Sequence, residues 1–181
     1  METKEEKYIN EFIQLNVVNI FKNSKQTYVS AYYPLFKADV LEDYLNGKRE
    51  WICPIKIMPK NEFETESFYS ISKDEINVLT SDTALMQMVH CMIHSLGAES
   101  RSNRFGKNMD SMGFYIENLI ADFASAIILS MHGVDKIVDE NVRNISYKIV
   151  RDIIEDDDRY VRLVSEVDWN IKEFLKLAYT I

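Results

Sequence analysis

Apolar residues at Ile9, Phe12, Ile13, Val17, Ile20 and Phe21 recur every three or four positions, which predicts an amphipathic helix over residues 5–21. The pattern then turns to β-branched and aromatic residues. Residues 27–33 and 51–58 read as strands, and Pro54, with no N–H to give to a ladder, places the second at a sheet edge. Residues 68–71 and 75–78 flank Ser72-Lys73-Asp74, the spacing of a hairpin or tight turn. Together these segments predict one small twisted sheet.

From residue 81 the period becomes helical. Ser81 or Asp82 is positioned to cap a helix that carries Leu85, Val89, Met92, Ile93 and Leu96 on one stripe and stops at Gly97. After a polar loop, a second helix starts near Asp110 or Ser111 and runs to Gly133, with Leu119, Ile120, Phe123, Ile127 and Ile128 as its apolar positions. Val142, Ile145, Ile149, Val150 and Ile153 mark a third. The acidic run at residues 155–158 caps a fourth, whose stripe is Tyr160, Val164, Val167, Ile171, Phe174, Leu175 and Ala178. The fold class expected is α+β, a small twisted sheet followed by a mainly helical C-terminal half. Its 181 residues suit a single domain, with the first helix and first strands in residues 1–65.

Composition narrows what such a fold can do. With 29 acidic and 21 basic side chains the net charge is −8, which opposes non-specific attraction to phosphate and disfavours a nucleic acid partner. Five Gly and three Pro leave few turns, in keeping with long helices. Cys53 and Cys91 are too few for a disulfide framework, which fits a reducing cytosol. Neither a signal peptide nor an unbroken apolar run of membrane length is seen, since residues 119–131 are interrupted by Asp122 and Ser125. The expectation is a cytoplasmic protein with no membrane partner.

His90 and His94 carry the candidate chemistry. Four apart on a helix, their rings rise from one face about a turn apart, the spacing at which two imidazoles reach one zinc ion. In H-E-x-x-H the Glu after the first His deprotonates zinc-bound water. The five residues here are His90-Cys91-Met92-Ile93-His94, so Cys91 stands at the general-base position and no residue is assigned as catalytic. H-x-x-x-H by itself also describes two helix histidines hydrogen-bonded to their neighbours. Arg101, Arg104 and Lys107 form a basic loop that reads either as a binding loop for phosphate or an acidic partner, or as arginines paired with Glu99, Asp110 or Glu117. His132, in the last turn before Gly133, reads as a cap at a helix C-terminus, where a cation is favoured, ahead of any chemical role. Tyr32, Tyr33, Phe36, Tyr44 and Trp51 read as core packing ahead of a stacking platform, and the acids at 155–158 as macrodipole partners ahead of a phosphate mimic.

Several blocks occur in one order. They are Tyr69-Ser-Ile-Ser-Lys-Asp-Glu-Ile-Asn-Val78, His90 to His94, His94-Ser-Leu-Gly-Ala-Glu-Ser-Arg-Ser-Asn-Arg104 with Phe105-Gly106, and Phe114-Tyr-Ile-Glu-Asn-Leu-Ile-Ala-Asp122. Residues 69–178, within a metallopeptidase-like region of 66–181, thereby resemble the zincin-like metallopeptidase domain of the ArdC-type antirestriction proteins, a family carried by plasmids and other mobile elements. The resemblance implies a zincin-like fold and a zinc site on His90 and His94. The third-ligand Glu of that layout falls on Asn118, four residues before the acidic partner Asp122. Base and anionic ligand are both replaced, which implies a degenerate member, with Asp122 or Glu117 left to complete any metal site. The function expected is therefore a catalytically inactive, metallopeptidase-like protein of a phage or mobile element that binds a host defence protein in the host cytosol, with no cofactor required. A zinc-dependent metallopeptidase with a non-standard site is the enzyme alternative, and nucleic-acid binding inherited from antirestriction relatives is the third.

Overall fold

The computed structural model describes residues 39–59, 66–106, 111–134, 152–153 and 155–179. The helices expected over 5–21 and 142–153, apart from residues 152–153, the strand over 27–33, Tyr32, Tyr33, Phe36 and Lys107 lie outside the described residues. Within them run α1 (Asp39–Leu45), β1 (Ile55–Met58), β2 (Phe68–Ser70), β3 (Glu75–Leu79), α2 (Ala84–Leu96), α3 (Ser111–Met131) and α4 (Asp157–Ala178). The architecture is mixed α+β, a small three-stranded sheet with a mainly helical C-terminal half.

The sheet has the order β1-β3-β2. β2 and β3 form the antiparallel hairpin that the sequence predicts, with Ser70 opposite Glu75. Asp74 takes a left-handed φ of 49° in the turn, a conformation that aspartate tolerates better than most side chains. Tyr69 donates its hydroxyl proton to Asp74 Oδ1 at 2.7 Å, and Arg101 grips the same carboxylate with two nitrogens at 2.9 and 2.7 Å, so the turn is tied to the loop after α2. β1 lies at an edge, as Pro54 requires, and runs parallel to β3 with Ile55 beside Ile76. It begins at residue 55, not 51, because Pro54 contributes only its carbonyl, which accepts from the Ile76 N–H at 2.9 Å.

β3 is buried along its whole length, and α2 lies over its Ile76 and Val78. The centre of the core is α2, α3 and α4 packed on one another, with Met88, Met92, Ile93, Leu119, Ile127, Leu163, Ile171 and Phe174 almost fully enclosed. α3 is long and apolar enough to cross a membrane by length and composition. Here it packs between α2 and α4, with the stretch from Leu119 to Ser130 buried on every side. Tyr44 and Trp51 belong to this core. The Trp51 ring meets Tyr44 edge-on and leans on Phe174, and its indole N–H donates to Ser95 Oγ at 2.8 Å.

Three helix ends differ in part from the sequence reading. The N-cap of α2 is Thr83, not Ser81 or Asp82, which form the preceding turn; Ser81 gives its carbonyl to the Ala84 N–H. α4 is capped by Asp156, inside the expected acidic run, its carboxylate accepting from the Arg159 N–H at 3.0 Å. Gly97 ends α2 where the sequence places the stop, with a right-handed φ of −78° that any residue can adopt. Space requires the glycine: a Cβ there would stand 2.8 Å from the Phe105 ring, 3.0 Å from Arg104 Nη2 and 3.1 Å from the His94 carbonyl oxygen. Gly97→Ala should therefore cost about 1–3 kcal/mol, read as a lowered urea midpoint with an unchanged slope.

Candidate functional site

α2 turns His90 and His94 toward α3, with side chains 23% and 15% exposed. The two Nε2 atoms face each other at 2.9 Å and the ring planes cross at 77°. Each remaining ring nitrogen looks at a carboxylate of α3. His94 Nδ1 lies 3.1 Å from Glu117 Oε1, and His90 Nδ1 lies 3.0 Å from Asp122 Oδ1. The first contact is an aligned hydrogen bond. The second is off the hydrogen-bonding direction, so His90 Nδ1 is buried beside a carboxylate with no hydrogen-bond partner.

Glu117 is the hub. Arg104 donates from Nε to one of its oxygens at 2.8 Å and from Nη2 to the other at 2.9 Å. The same guanidinium reaches Asn170 Oδ1 on α4 at 2.8 Å and the Ile93 carbonyl of α2 at 2.9 Å, fastening three helices together. With the Arg104 and Glu117 side chains only 7% and 5% exposed, this is a buried ion pair whose hydrogen-bonding groups are met. Asn170 gives a faint sequence signal, one amide among the apolar positions of α4. Nothing in the sequence connects it to an arginine 66 residues earlier.

The other expected site residues take different places. Asn118 does not face the histidines; its amide donates to the Phe114 carbonyl on its own helix at 3.0 Å, and Glu117 is the residue rotated inward. Cys91, at the base position, points into the core at 1% exposure, where burial pushes its thiol up to about 12. Arg101 and Arg104 are engaged internally, Arg101 with Asp74 and Arg104 with Glu117, the pairing reading of that loop for Arg104 and a new partner for Arg101. His132 does hydrogen-bond the end of α3, as a cap would, but from a buried position that disfavours the cation. Its Nδ1–H donates to the Ile128 carbonyl, its Nε2 meets the Tyr179 hydroxyl, and burial lowers its pKa.

The electrostatics give the fold a defined response to acid. Burial holds the His94 and His132 pKa values below the ordinary 6.5. Burial tends to raise Glu117, but the hydrogen bonds from His94 and Arg104 outweigh it and leave its pKa below 4.5. As pH falls below 6.5 the unfolded chain takes up protons that the folded histidines refuse, so stability declines; the share held by Glu117 is lost lower still, through its folded value. Urea midpoints should thus fall steadily between about pH 7 and pH 4, and replacing His132 by Gln should flatten the upper part of that fall.

The resemblance implies zinc, and the donor set tests it. A catalytic zinc needs three protein ligands and an open position. Two imidazole nitrogens converge here, while both carboxylates stand behind the rings. Among the described residues no group of three or more His, Cys, Asp or Glu side chains is arranged to hold a metal ion. The residues do not fit a three-ligand hydrolytic zinc. Comparison with protein-family models, with curated proteins and with solved structures finds no match to this chain.

Proposed function

We propose that this chain is a catalytically inactive, zincin-like protein of a phage or mobile element that acts in the host cytosol by binding a host defence protein. The observation that carries the reading is the state of Glu117. The carboxylate nearest His94 is held by the Arg104 guanidinium through both oxygens, so it is a structural anion and not a free ligand or proton acceptor. Cys91 supports the same view, because a thiol packed in the core at a pKa of about 12 offers no base to a water molecule beside His90. What remains of a hydrolytic arrangement serves as an interhelical clamp, and the surface around it is the part left to recognise a partner. The nucleic-acid alternative draws no support from Arg101 and Arg104, whose charges are met by Asp74 and Glu117.

The test has two arms. Zinc-supplemented protein incubated with unstructured polypeptide substrates should release no fragments. The same protein, used as bait in host extract, should retain a defence component that also binds when both are purified and mixed. Peptide cleavage abolished by His90→Ala would overturn the proposal.

A further inference from the structure

The last helix carries two stripes. Leu163, Val167, Ile171 and Phe174 face the core and are buried, while Asp158, Val161, Arg162, Ser165, Trp169 and Lys172 lie on the opposite side and are exposed. Val161 at 63% and Trp169 at 38% are the large apolar side chains that this outer stripe leaves to solvent. We propose that the outer stripe of α4 docks on the same stripe of a second copy of this chain, with the two helices antiparallel about a two-fold axis at Ser165. The interface is isologous: each copy offers the same side chains and receives them in reverse order.

The stripe is complementary to itself. Val161 and Trp169 stand about 6 Å along the helix axis to either side of Ser165, and Asp158 and Lys172 about 10.5 Å. A two-fold axis at Ser165 therefore brings Trp169 of one copy level with Val161 of the other, and Lys172 level with Asp158. With about 100° of turn per residue, Trp169 points between Val161 and Arg162 of the second copy. Its ring enters the hole bounded there by Asp158, Val161, Arg162 and Ser165, covers the valine and meets the guanidinium with its face. Lys172, which pairs with Asp168 of its own helix at 2.7 Å, gains Asp158 of the second copy as a further anion. Charge fixes the direction as well. The helix has Asp157 and Asp158 in its first turn and Lys176 in its last, so antiparallel docking sets acid against base, whereas parallel docking sets like against like. Ser165 lets the backbones approach, and its hydroxyl donates to the Val161 carbonyl at 2.8 Å, so burial on the axis strands no polar group. One helical stripe is a small interface, which places the dimer at the weak end, forming at about micromolar concentrations. Self-association needs no host component, so it succeeds or fails separately from the capture experiment.

Sedimentation velocity of the purified full chain over a concentration series should show a monomer–dimer equilibrium. Ser165→Arg sets two like charges on the axis and should leave monomer alone, with folding checked by circular dichroism. Lys172→Glu should weaken association about tenfold. Asp158→Lys/Lys172→Glu should restore it, because the reversed charges again meet across the two copies. A wild-type chain that stays monomeric up to about 1 mM overturns the proposal. So does a dimer that survives Ser165→Arg, or a double reversal that associates no better than Lys172→Glu.

Discussion

Cys91→Glu, the substitution that completes an H-E-x-x-H sequence, should yield an insoluble or unfolded chain and no peptidase. Cys91 is 1% exposed on the face of α2 that enters the core beside Met88, Met92 and Ile93. A carboxylate there loses its hydration without gaining a donor, and burying even an uncharged polar group unpaired costs about 2–7 kcal/mol. A whole domain of this size is stable by only about 5–15 kcal/mol. Cys91→Ala provides the contrast. It removes one small apolar group, so it should cost about 1 kcal/mol, near the average for point substitutions, and leave the fold intact. Far-ultraviolet circular dichroism and soluble yield decide the matter. A folded Cys91→Glu protein that cleaves peptides with added zinc would show that the side chain reaches the histidines after all.

Arg104→Met should be the next most damaging change. Its guanidinium donates to both Glu117 oxygens, to Asn170, to the Ile93 carbonyl and to Ser102 Oγ. Removing one partner of a buried pair leaves the other charge uncompensated, and the usual cost is about 3–5 kcal/mol. The double variant Arg104→Met/Glu117→Leu should recover part of that loss, because no lone carboxylate remains in the interior. Urea unfolding of the wild type, both single variants and the double variant completes the cycle. Equal costs for the single and double variants would mean that Glu117 is solvated and the clamp is not a pair.

These two sites also show where sequence reasoning reached and where it stopped. The β2–β3 turn, the stripes of α2 and α3, the glycine at φ +80° after α3 and the acidic cap of α4 were legible because each depends on neighbours within a few residues. The direction of Cys91 was not, since each residue turns a helix by about 100° and the pattern alone does not say which of two adjoining positions meets a partner. The same limit exchanged Asn118 and Glu117. The basic loop was legible in part: Glu117 stood among the three acids offered to its arginines and pairs with Arg104, whereas the partner of Arg101, Asp74, lies 27 residues away on the far side of α2 in the sequence. Gly97 was legible as the stop of α2, but the packing need for a glycine there, imposed by Phe105 and Arg104, follows from no local rule.

The fastening of α4 has a consequence for synthesis. Phe174 under Trp51, the Ala178 carbonyl taken by Arg49 and Asn170 held by Arg104 join the last helix to segments translated 123, 129 and 66 residues earlier. While the ribosome is still making the stretch before α4, the apolar flanks of α2 and α3 lack the α4 surface on which they close in the folded protein. Arrested nascent chains that carry a C-terminal spacer long enough to fill the exit tunnel should therefore be cut readily when the protein sequence before the spacer stops near residue 150, and should become resistant when it runs through α4.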